Sequence, residues 1–487
     1  MPNVLSIALL AFLPIFVVVS LRNARTGFLL WLVVSPFTVA PIVSLPFLVP
    51  DISFDMVAII ALYGGMFLRN EYPHLRGVPT RPLDRWMFIF CAVLGLSLLL
   101  FYRPKDASRY LLTITHHFVF PFLFYRLCRY LLIKDRVFDE GLVAEILDRM
   151  IFVAAILSLM GIYEGITWID LLPMKATTFS LAHGGGLRIA TGWPRVNGPY
   201  SNPETYGTVV ALLLFVVLLR TDLLRKEPSG RRSRNRLKVL AILLLLLIPA
   251  VAFNLFRSVW LAIVAGLFVR FLVLPERRLR LATIVALCLL VLVVVWPLVT
   301  STRVYSERLS YAGSYLSRIG ANRYAFEVVT RNPLIGIGFD RMPKYIEHAI
   351  ESGRILTYQG VEPAFTIHNA FINLLAENGI IGLLPFVAIL SSVLVLCVRH
   401  LQAFREQEGK YYGAAFIVFL VVYFVPMLFD RLIYDGKLNN VVFTLFAILV
   451  SRLDAFGLGW ATRPTGIPVR QAESSSDVVA VVFLHPR

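Results

Sequence analysis

The chain has 487 residues, of which 58% are hydrophobic and 16% are charged. A soluble domain carries about a quarter charged residues, so this composition excludes an ordinary soluble protein and indicates a protein of the membrane. The net charge of +17 would suit nucleic acid, but many basic residues stand in short segments between apolar runs, which is the positive-inside pattern of membrane proteins.

Long apolar runs recur along the chain, and a helix of this length crosses about 30 Å of hydrocarbon. They include residues 4–20, 86–102, 203–219, 259–274, 281–299 and 379–398. The runs are continuous and do not alternate with polar residues, which favours helices over a membrane β-barrel. The sequence therefore predicts an all-α polytopic membrane protein with about 13 transmembrane helices. Twelve is the alternative, because residues 27–67 can be divided in two ways.

Basic segments between the runs predict the orientation of the chain. Residues 220–238 carry eight basic and two acidic side chains and should be cytoplasmic. The same expectation holds for residues 21–25, 69–85, 129–136, 276–280 and 399–410. Alternation then puts the N-terminus outside and the C-terminus inside. It assigns residues 167–202, 300–368 and 430–437 to the outer face.

Three regions follow from this topology. Residues 1–166 are predicted to be N-terminal transmembrane helices, residues 167–455 a core that includes the outer loop 300–368, and residues 456–487 a cytoplasmic tail. The four cysteines lie in or beside apolar segments without a CxxC pair, so neither a disulfide nor a zinc site is predicted.

The stretch GWPRVNGPYSNPETYG, residues 192–207, is predicted to be an outer turn that leads into a span. Asn202 is suited to cap the helix, with Pro203 at its first position. This punctuation does not require Arg195, which adds a cation at the same outer surface. Arg195 is therefore a candidate for substrate binding.

Arg257 interrupts the apolar stretch 239–274, whose flanking loops are both basic. Two spans must meet there in a tight outer turn. An arginine in such a sequence costs roughly 2.5–3.5 kcal/mol unless it is paired or hydrated, so a functional role is the default hypothesis. The alternative is a side chain that extends to the outer headgroups.

The outer loop contains SYLSRIGANRYAFEVVTRNPLIGIGFDRMPKY, which predicts a helix over 314–331 that is broken at Asn332-Pro333. Arg318 and Arg323 lie in that helix, about 140° apart at five residues' separation. We expect one to face a membrane cavity and the other to face solvent or a partner. The alternative is a solvated helix with ordinary surface charges.

A further span opens with TIHNAFINLLAENGIIGLLPF, residues 366–386. His368 can exchange a proton near neutral pH, and Asn369 stands beside it at the membrane boundary. Glu377 lies nine residues after His368, about 180° around a regular helix. It is expected to bond a neighbouring span or a helix end. A hydrated histidine at a membrane mouth is the alternative for His368. His116 and His117 lie near the outer end of another span, where one could line a cavity.

Several arginines and one histidine thus gather at the outer boundary. Arginine suits phosphate oxygens, so a lipid-linked diphosphate would fit such a site. The outer segments contain no Asp-x-Asp or acidic cluster, so no divalent metal is implied.

Three stretches, in order, resemble the O-antigen ligase and polymerase superfamily of bacterial membrane glycosyltransferases. They are RVNGPYSNPETYG, FNLFRSVWLAIVAG, and the outer loop in which PLIGIG precedes HNAFINLLAENGIIGLLPF. The last stretch is the most distinctive. The resemblance covers residues 195–385, and the N-terminal spans agree only in hydropathy.

The resemblance implies a fold of the GT-C type in the bacterial inner membrane, with a periplasmic active site. It implies an undecaprenyl-diphosphate-linked oligosaccharide donor, a glycan or lipid A-core acceptor, and no metal or other cofactor. The matching positions are Arg257 and Arg318 for the donor diphosphate and His368 for transfer, with inversion at the anomeric carbon. Arg195, Arg323, Asn369 and Glu377 are the predicted substrate-binding residues beside them.

Two questions stay open at this stage. The motifs do not separate a polymerase, which joins lipid-linked repeats, from a ligase, which hands a finished chain to another acceptor. The alternative function is a membrane transporter or flippase of the same superfamily. Such proteins commonly show repeats and ionisable groups near the midplane, whereas the charged residues here cluster at the outer ends of spans.

Overall fold

The computed structural model is a bundle of helices. It describes residues 4–38, 53–71, 78–102, 110–134, 137–167, 196–200, 202–226, 230–274, 313–353, 364, 366–404 and 409–455. Its helices are α1 Val4–Arg22, α2 Ala24–Val34, α3 Phe54–Leu68, α4 Pro82–Phe101, α5 Tyr110–Leu132, α6 Glu140–Thr167, α7 Pro203–Leu224, α8 Arg231–Asn254, α9 Arg257–Val273, α10 Gly313–Arg331, α11 Met342–Glu351, α12 Ala370–Ala403, α13 Gly409–Met427 and α14 Gly436–Ala455. Helix α5 includes a π-helical stretch at Thr115–Val119. Strands β1 Ile133–Lys134 and β2 Val137–Phe138 pair antiparallel in a short hairpin.

Seven of the described helices are long and apolar enough to cross a membrane. They are α4, α5, α7, the Ser233–Asn254 part of α8, α12, α13 and α14. Shorter apolar helices occur at Ala11–Arg22, Ala24–Phe37 and Phe54–Leu68. The chain is therefore a multi-pass helical membrane protein, as its composition predicts. The count of 13 spans stays a prediction, and the run 281–299 lies outside the described residues.

The bundle has two distinct ends, which α5 and α14 define because they pack side by side in the same direction. At the start of α14, the backbone N–H of Gly436 donates over 2.9 Å to Nδ1 of His117, which lies in the first half of α5. In their last turns, Arg129 Nη2 lies 2.6 Å from Asp454 Oδ2. The 20 residues of α14 span about 30 Å at 1.5 Å per residue. We call the end at His117 the site end and the end at Arg129 the basic end.

A buried ionic cluster holds the basic end together. Arg129 is 0% exposed and contacts both Asp84, at the start of α4, and Asp454, at the end of α14. Arg126 also pairs with Asp84, and Arg81 pairs with Asp454. Arg81 and Asp84 lie in the segment 69–85 and Arg129 in the segment 129–136, whose charge pattern predicts a cytoplasmic location. The cluster ties three helices at one level and so fixes their relative heights.

The outer loop is attached to the bundle through its backbone. Helix α12 is interrupted at Gly379, whose φ of +60° and ψ of −166° are not helical. The interruption releases carbonyl and N–H groups on each side. Gly338 N–H donates to Glu377 O over 2.8 Å, and Ile380 N–H donates to Pro333 O over 2.9 Å. The PLIGIG segment is therefore hydrogen-bonded to α12 on both sides of the interruption.

Candidate functional site

A cavity of about 490 Å³ lies at the site end, between α9, α10 and the segments before α12 and after α13. Arg257, Arg318 and His368, the three predicted catalytic residues, all line it. The lining residues are Leu255, Phe256, Arg257, Ser258, Leu261, Arg318, Ile319, Asn322, His368, Leu428 and Phe429. We call this space the cationic cavity. Its walls combine apolar side chains with two guanidinium groups.

A tight turn positions Arg257, as the sequence predicts. Helix α8 ends at Asn254, and Leu255 adopts a left-handed conformation with φ +55°. Phe256 then serves as the N-cap position of α9, so Arg257 is the first residue of that helix. Asn254 secures the turn, because its Nδ2 donates to the carbonyls of Val196 and Pro203. The arginine therefore projects from a fixed helix start.

Helix α10 separates the two arginines of the outer loop. Arg318 lines the cationic cavity and its Nη1 reaches Phe429 O at 3.4 Å. Arg323 is exposed and is not among the cavity residues. This difference matches the angular separation read from the sequence. The role of Arg323 in substrate binding stays a prediction.

His368 lies immediately before α12 and is one-quarter exposed. Its Nδ1 is 3.6 Å from Asp430 Oδ1, and its Nε2 is 3.4 Å from Thr366 Oγ1. Asn369 caps α12, because its Oδ1 accepts from the N–H groups of Phe371 and Ile372, and its Nδ2 donates to Leu428 O. The cap fixes the chain just where His368 meets the cavity.

Asp430 is a site residue that the sequence did not single out. It stands in the turn after α13, and the backbone N–H of Arg431 donates to its Oδ1 over 2.6 Å. Burial alone would raise the pKa of this carboxyl, but the neighbouring His368 imidazole and the Arg431 N–H outweigh burial and lower the pKa. Asp430 therefore remains a carboxylate facing the imidazole. Its signal in the sequence was an acidic residue at the start of the predicted outer turn 430–437.

Glu377 is fully buried and bonds two other elements. Its Oε1 accepts from the N–H of Met342 at the start of α11, over 3.1 Å. Its Oε2 accepts from the hydroxyl of Tyr434 over 2.8 Å. The bond from Met342 is the helix-end bond that the sequence allows for Glu377, whereas Tyr434 belongs to the turn between α13 and α14 and not to a neighbouring span. The carboxylate is not among the residues that line the cationic cavity.

A second cavity, of about 260 Å³, lies at the same end. We call it the acidic cavity. Its lining residues are Thr113, His117, Asn202, Asp340, Asp430, Arg431, Leu432, Tyr434 and Asp435. Asn202 caps α7 through a 2.7 Å bond from Thr205 N–H, as predicted, while Arg195 lies outside the described residues. Asp430 lines this cavity and contacts His368 of the cationic cavity, so the two spaces meet at that pair.

The residues at this end can support two kinds of chemistry. Two arginines beside apolar walls can bind a phosphorylated lipid headgroup. An imidazole backed by a carboxylate can accept a proton. Within the described residues, no group of three or more His, Cys, Asp or Glu side chains is arranged to hold a metal ion.

Comparison with known proteins adds one finding. A family model described as O-antigen ligase matches residues 240–387. The match contains Arg257, Arg318 and His368, but it ends before Asp430. A search of curated proteins finds no match to the chain. The family match supports a role as a membrane glycan ligase or polymerase.

Proposed function

We propose that the chain is a GT-C-type glycosyltransferase acting at the periplasmic face of the bacterial inner membrane, and the match of residues 240–387 to the O-antigen ligase family model supports this. It takes glycan from an undecaprenyl-diphosphate-linked donor and passes it to a glycan or lipid A-core acceptor. The observation that carries this proposal is the meeting of Arg257, Arg318 and His368 in one cavity.

Arg257 and Arg318 bind the donor diphosphate. A guanidinium group can pair with two phosphate oxygens at once and stays charged at every relevant pH. The apolar residues around them, such as Leu261 and Phe429, accept the first part of the lipid chain. The donor thus lies with its headgroup at the site end and its lipid tail toward the hydrocarbon. Arg195 and Arg323 are proposed to extend this cationic surface.

The transfer step exchanges one bond to the anomeric carbon for another. The acceptor hydroxyl oxygen forms the new bond, and the bond from the anomeric carbon to the diphosphate oxygen breaks. The leaving undecaprenyl diphosphate takes the bonding electron pair, and the two arginines stabilise its charge. Attack from the side opposite the leaving group inverts the configuration. The chemistry needs no oxidant or reductant.

His368 accepts the proton that the acceptor hydroxyl loses. Its Nε2 is the proposed proton acceptor, because Nδ1 faces Asp430, and the acceptor hydroxyl would approach Nε2 beside the Thr366 hydroxyl that lies 3.4 Å away. The Asp430 carboxylate then stabilises the imidazolium ion. We propose that Asn369 and Glu377 support substrate binding indirectly. Asn369 caps α12, and Glu377 holds the outer loop against α12 through its bond from Met342.

The two ends of the bundle support the periplasmic orientation. The cationic cavity lies at the opposite end from Arg129 and Asp84, whose segments carry the charge pattern of a cytoplasmic face. Cysteine labelling from outside intact spheroplasts tests the orientation at an introduced residue such as Glu327→Cys.

The decisive experiment is transfer by purified protein in nanodiscs supplied with a lipid-linked glycan. Arg257→Ala and His368→Ala should each lower the transfer rate by about 10²-fold or more, since each removes charge stabilisation or proton transfer. Arg331→Ala is the matched control, because Arg331 is an exposed residue of α10 outside the cavity. Near-normal product from either site variant would refute the proposed roles.

The same assay separates the remaining alternatives. Covalent transfer or elongation of glycan indicates an enzyme, whereas movement of unchanged substrate across the bilayer indicates a carrier. The glycan profile of a deletion strain then distinguishes the two enzymatic outcomes. Single-repeat products indicate lost polymerisation, and accumulated long lipid-linked chains indicate lost ligation.

A further inference from the structure

The acidic cavity has a composition opposite to that of its neighbour. It contains the carboxylates of Asp340, Asp430 and Asp435 but one guanidinium group, that of Arg431. Burial raises the pKa of the Asp435 carboxyl, yet even with Asp435 neutral the other two carboxylates outnumber the arginine. Arg431 is moreover paired with Asp340 over 3.2 Å. Such a space repels a diphosphate and any other anion.

The same cavity offers hydrogen-bond donors as well as acceptors. The N–H of Gly436 donates to His117 Nδ1, so Nε2 of that ring carries the proton and is a donor. Asn202 uses its Oδ1 as the cap of α7, which leaves its amide nitrogen as a donor. The carboxylates keep acceptor capacity beyond the bonds they already make. Donors and acceptors together, without excess positive charge, suit a ligand rich in hydroxyl groups.

The size and position of the cavity restrict that ligand further. A volume of about 260 Å³ lies just below the range of about 300–1,000 Å³ for drug-sized ligands, so the space suits a single sugar ring. Asp430 lines the acidic cavity and lies 3.6 Å from His368, which lines the cationic cavity. A hydroxyl held here would meet the donor at the Asp430–His368 pair.

We propose that the acidic cavity is the acceptor subsite and that it binds a neutral monosaccharide unit while rejecting an anionic one such as a uronic acid. The assignment of the bound sugar as the acceptor rests on the proposed glycosyl transfer. The binding preference itself follows from the cavity alone. The two substrates are thus sorted by charge, with the anionic donor on the arginine side and the neutral acceptor on the carboxylate side.

Equilibrium binding tests this preference without any need for catalysis. The probes are methyl glycosides of neutral hexoses and N-acetylhexosamines, methyl glucuronide, and inorganic pyrophosphate as a competitor. The protein is the full chain in nanodiscs, observed by saturation-transfer difference NMR. At least one neutral glycoside should bind with millimolar affinity, the glucuronide at least tenfold more weakly, and pyrophosphate should not compete.

Two variants assign the signal to the acidic cavity. Asp340→Asn should weaken glycoside binding by about tenfold, because it replaces a charged acceptor, and asparagine tolerates the φ of +54° at this position. Thr113→Tyr should abolish binding by filling the space. Glu327→Gln, the same chemical change at an exposed position of α10, should leave binding unchanged.

Several results would overturn the proposal. They are equal binding of the glucuronide, competition by pyrophosphate, absence of binding by every neutral glycoside, or unchanged binding in both cavity variants. Failure here differs from failure of the proposed function. If His368→Ala abolishes transfer but no glycoside binds, the proposed subsite is wrong and the proposed enzymatic function is retained. If glycosides bind as expected but no transfer occurs, the subsite stands and the enzymatic role falls.

Discussion

Asp430 gives His368 a partner that determines what the imidazole can do. The two side chains lie 3.6 Å apart, and Asp430 is largely buried. If His368 takes a proton, the carboxylate stabilises the resulting cation without itself touching the donor. We therefore predict that Asp430→Asn lowers the transfer rate by about 10²-fold while the donor KM is unchanged. Steady-state kinetics with varied donor concentration checks this split.

The controls for Asp430 separate positioning from folding. Asp430→Glu restores the charge and should recover part of the rate, whereas Glu327→Gln should have no effect. The pKa of Asp430 lies below its usual value of 3.8, so the stabilising contact is present above that pH and is lost only as the pH falls below it. Any loss of rate on mild acidification must then come from another group. A wild-type rate in Asp430→Asn would show that the pair is incidental.

At the scale of elements, the outer loop is attached to the bundle at the interruption of helix α12. Gly379 has a backbone conformation that is essentially restricted to glycine. A Cβ at this position would lie 2.1 Å from Leu334 O, and a Cβ at Gly336 would lie 2.4 Å from the Glu377 backbone. Both contacts are with backbone atoms, which cannot rotate away. The two glycines therefore permit the close pairing of the PLIGIG segment with α12.

This pairing predicts a graded effect of alanine at glycines with positive φ. Gly379→Ala should lower the free energy of unfolding by about 3 kcal/mol or more, since it adds a backbone clash to an unfavourable conformation. Gly353→Ala is the matched control, because Gly353 has φ +67° but a Cβ added there would meet open space, with nothing within 4 Å. It should cost only about 1 kcal/mol. Thermal unfolding in nanodiscs measures both, and equal effects would contradict the pairing.

The sequence predicts those parts of the site that depend on local chemistry. Asn202 and Pro203 form a recognisable helix start, and the tight turn before Arg257 follows from basic segments on both flanks of one apolar stretch. Arg257 itself stands out because an arginine in apolar sequence is costly. His368 stands out by its place at the start of a span. In each case the signal lies within about twenty residues of the position it describes.

Other parts of the site depend on contacts between distant segments. Asp430 resembles any acidic residue of an outer turn until the turn lies beside His368. The apolar run 379–398 reads as an uninterrupted helix, and the break at Gly379 is understandable only with the partner segment 333–338 in place. The acidic cavity is assembled from α5, α7, the outer loop and the turn before α14. No local sequence pattern predicts this cavity.

At the scale of the whole molecule, the ionic cluster at the basic end is separate from the chemistry. Arg129 is 0% exposed, and its partners Asp84 and Asp454 are 3% and 5% exposed. Removing one member of a buried ion pair is strongly destabilising, by about 3–5 kcal/mol, because a charge is left without compensation. Arg126 and Arg81 still contact the two carboxylates, so the lower part of that range applies.

We therefore predict that Arg129→Met lowers the free energy of unfolding by about 3 kcal/mol. The same variant should leave the donor KM unchanged, because the cationic cavity lies about 30 Å away along α14. Arg25→Met is the control, since Arg25 forms half-exposed ion pairs with Asp139 and Glu145 at the same end and should cost less than about 1 kcal/mol. Unfolding curves and donor titrations on the same preparations decide the matter. A raised donor KM in Arg129→Met would mean that the two ends are coupled through α14, and the separation of stability from chemistry would fail.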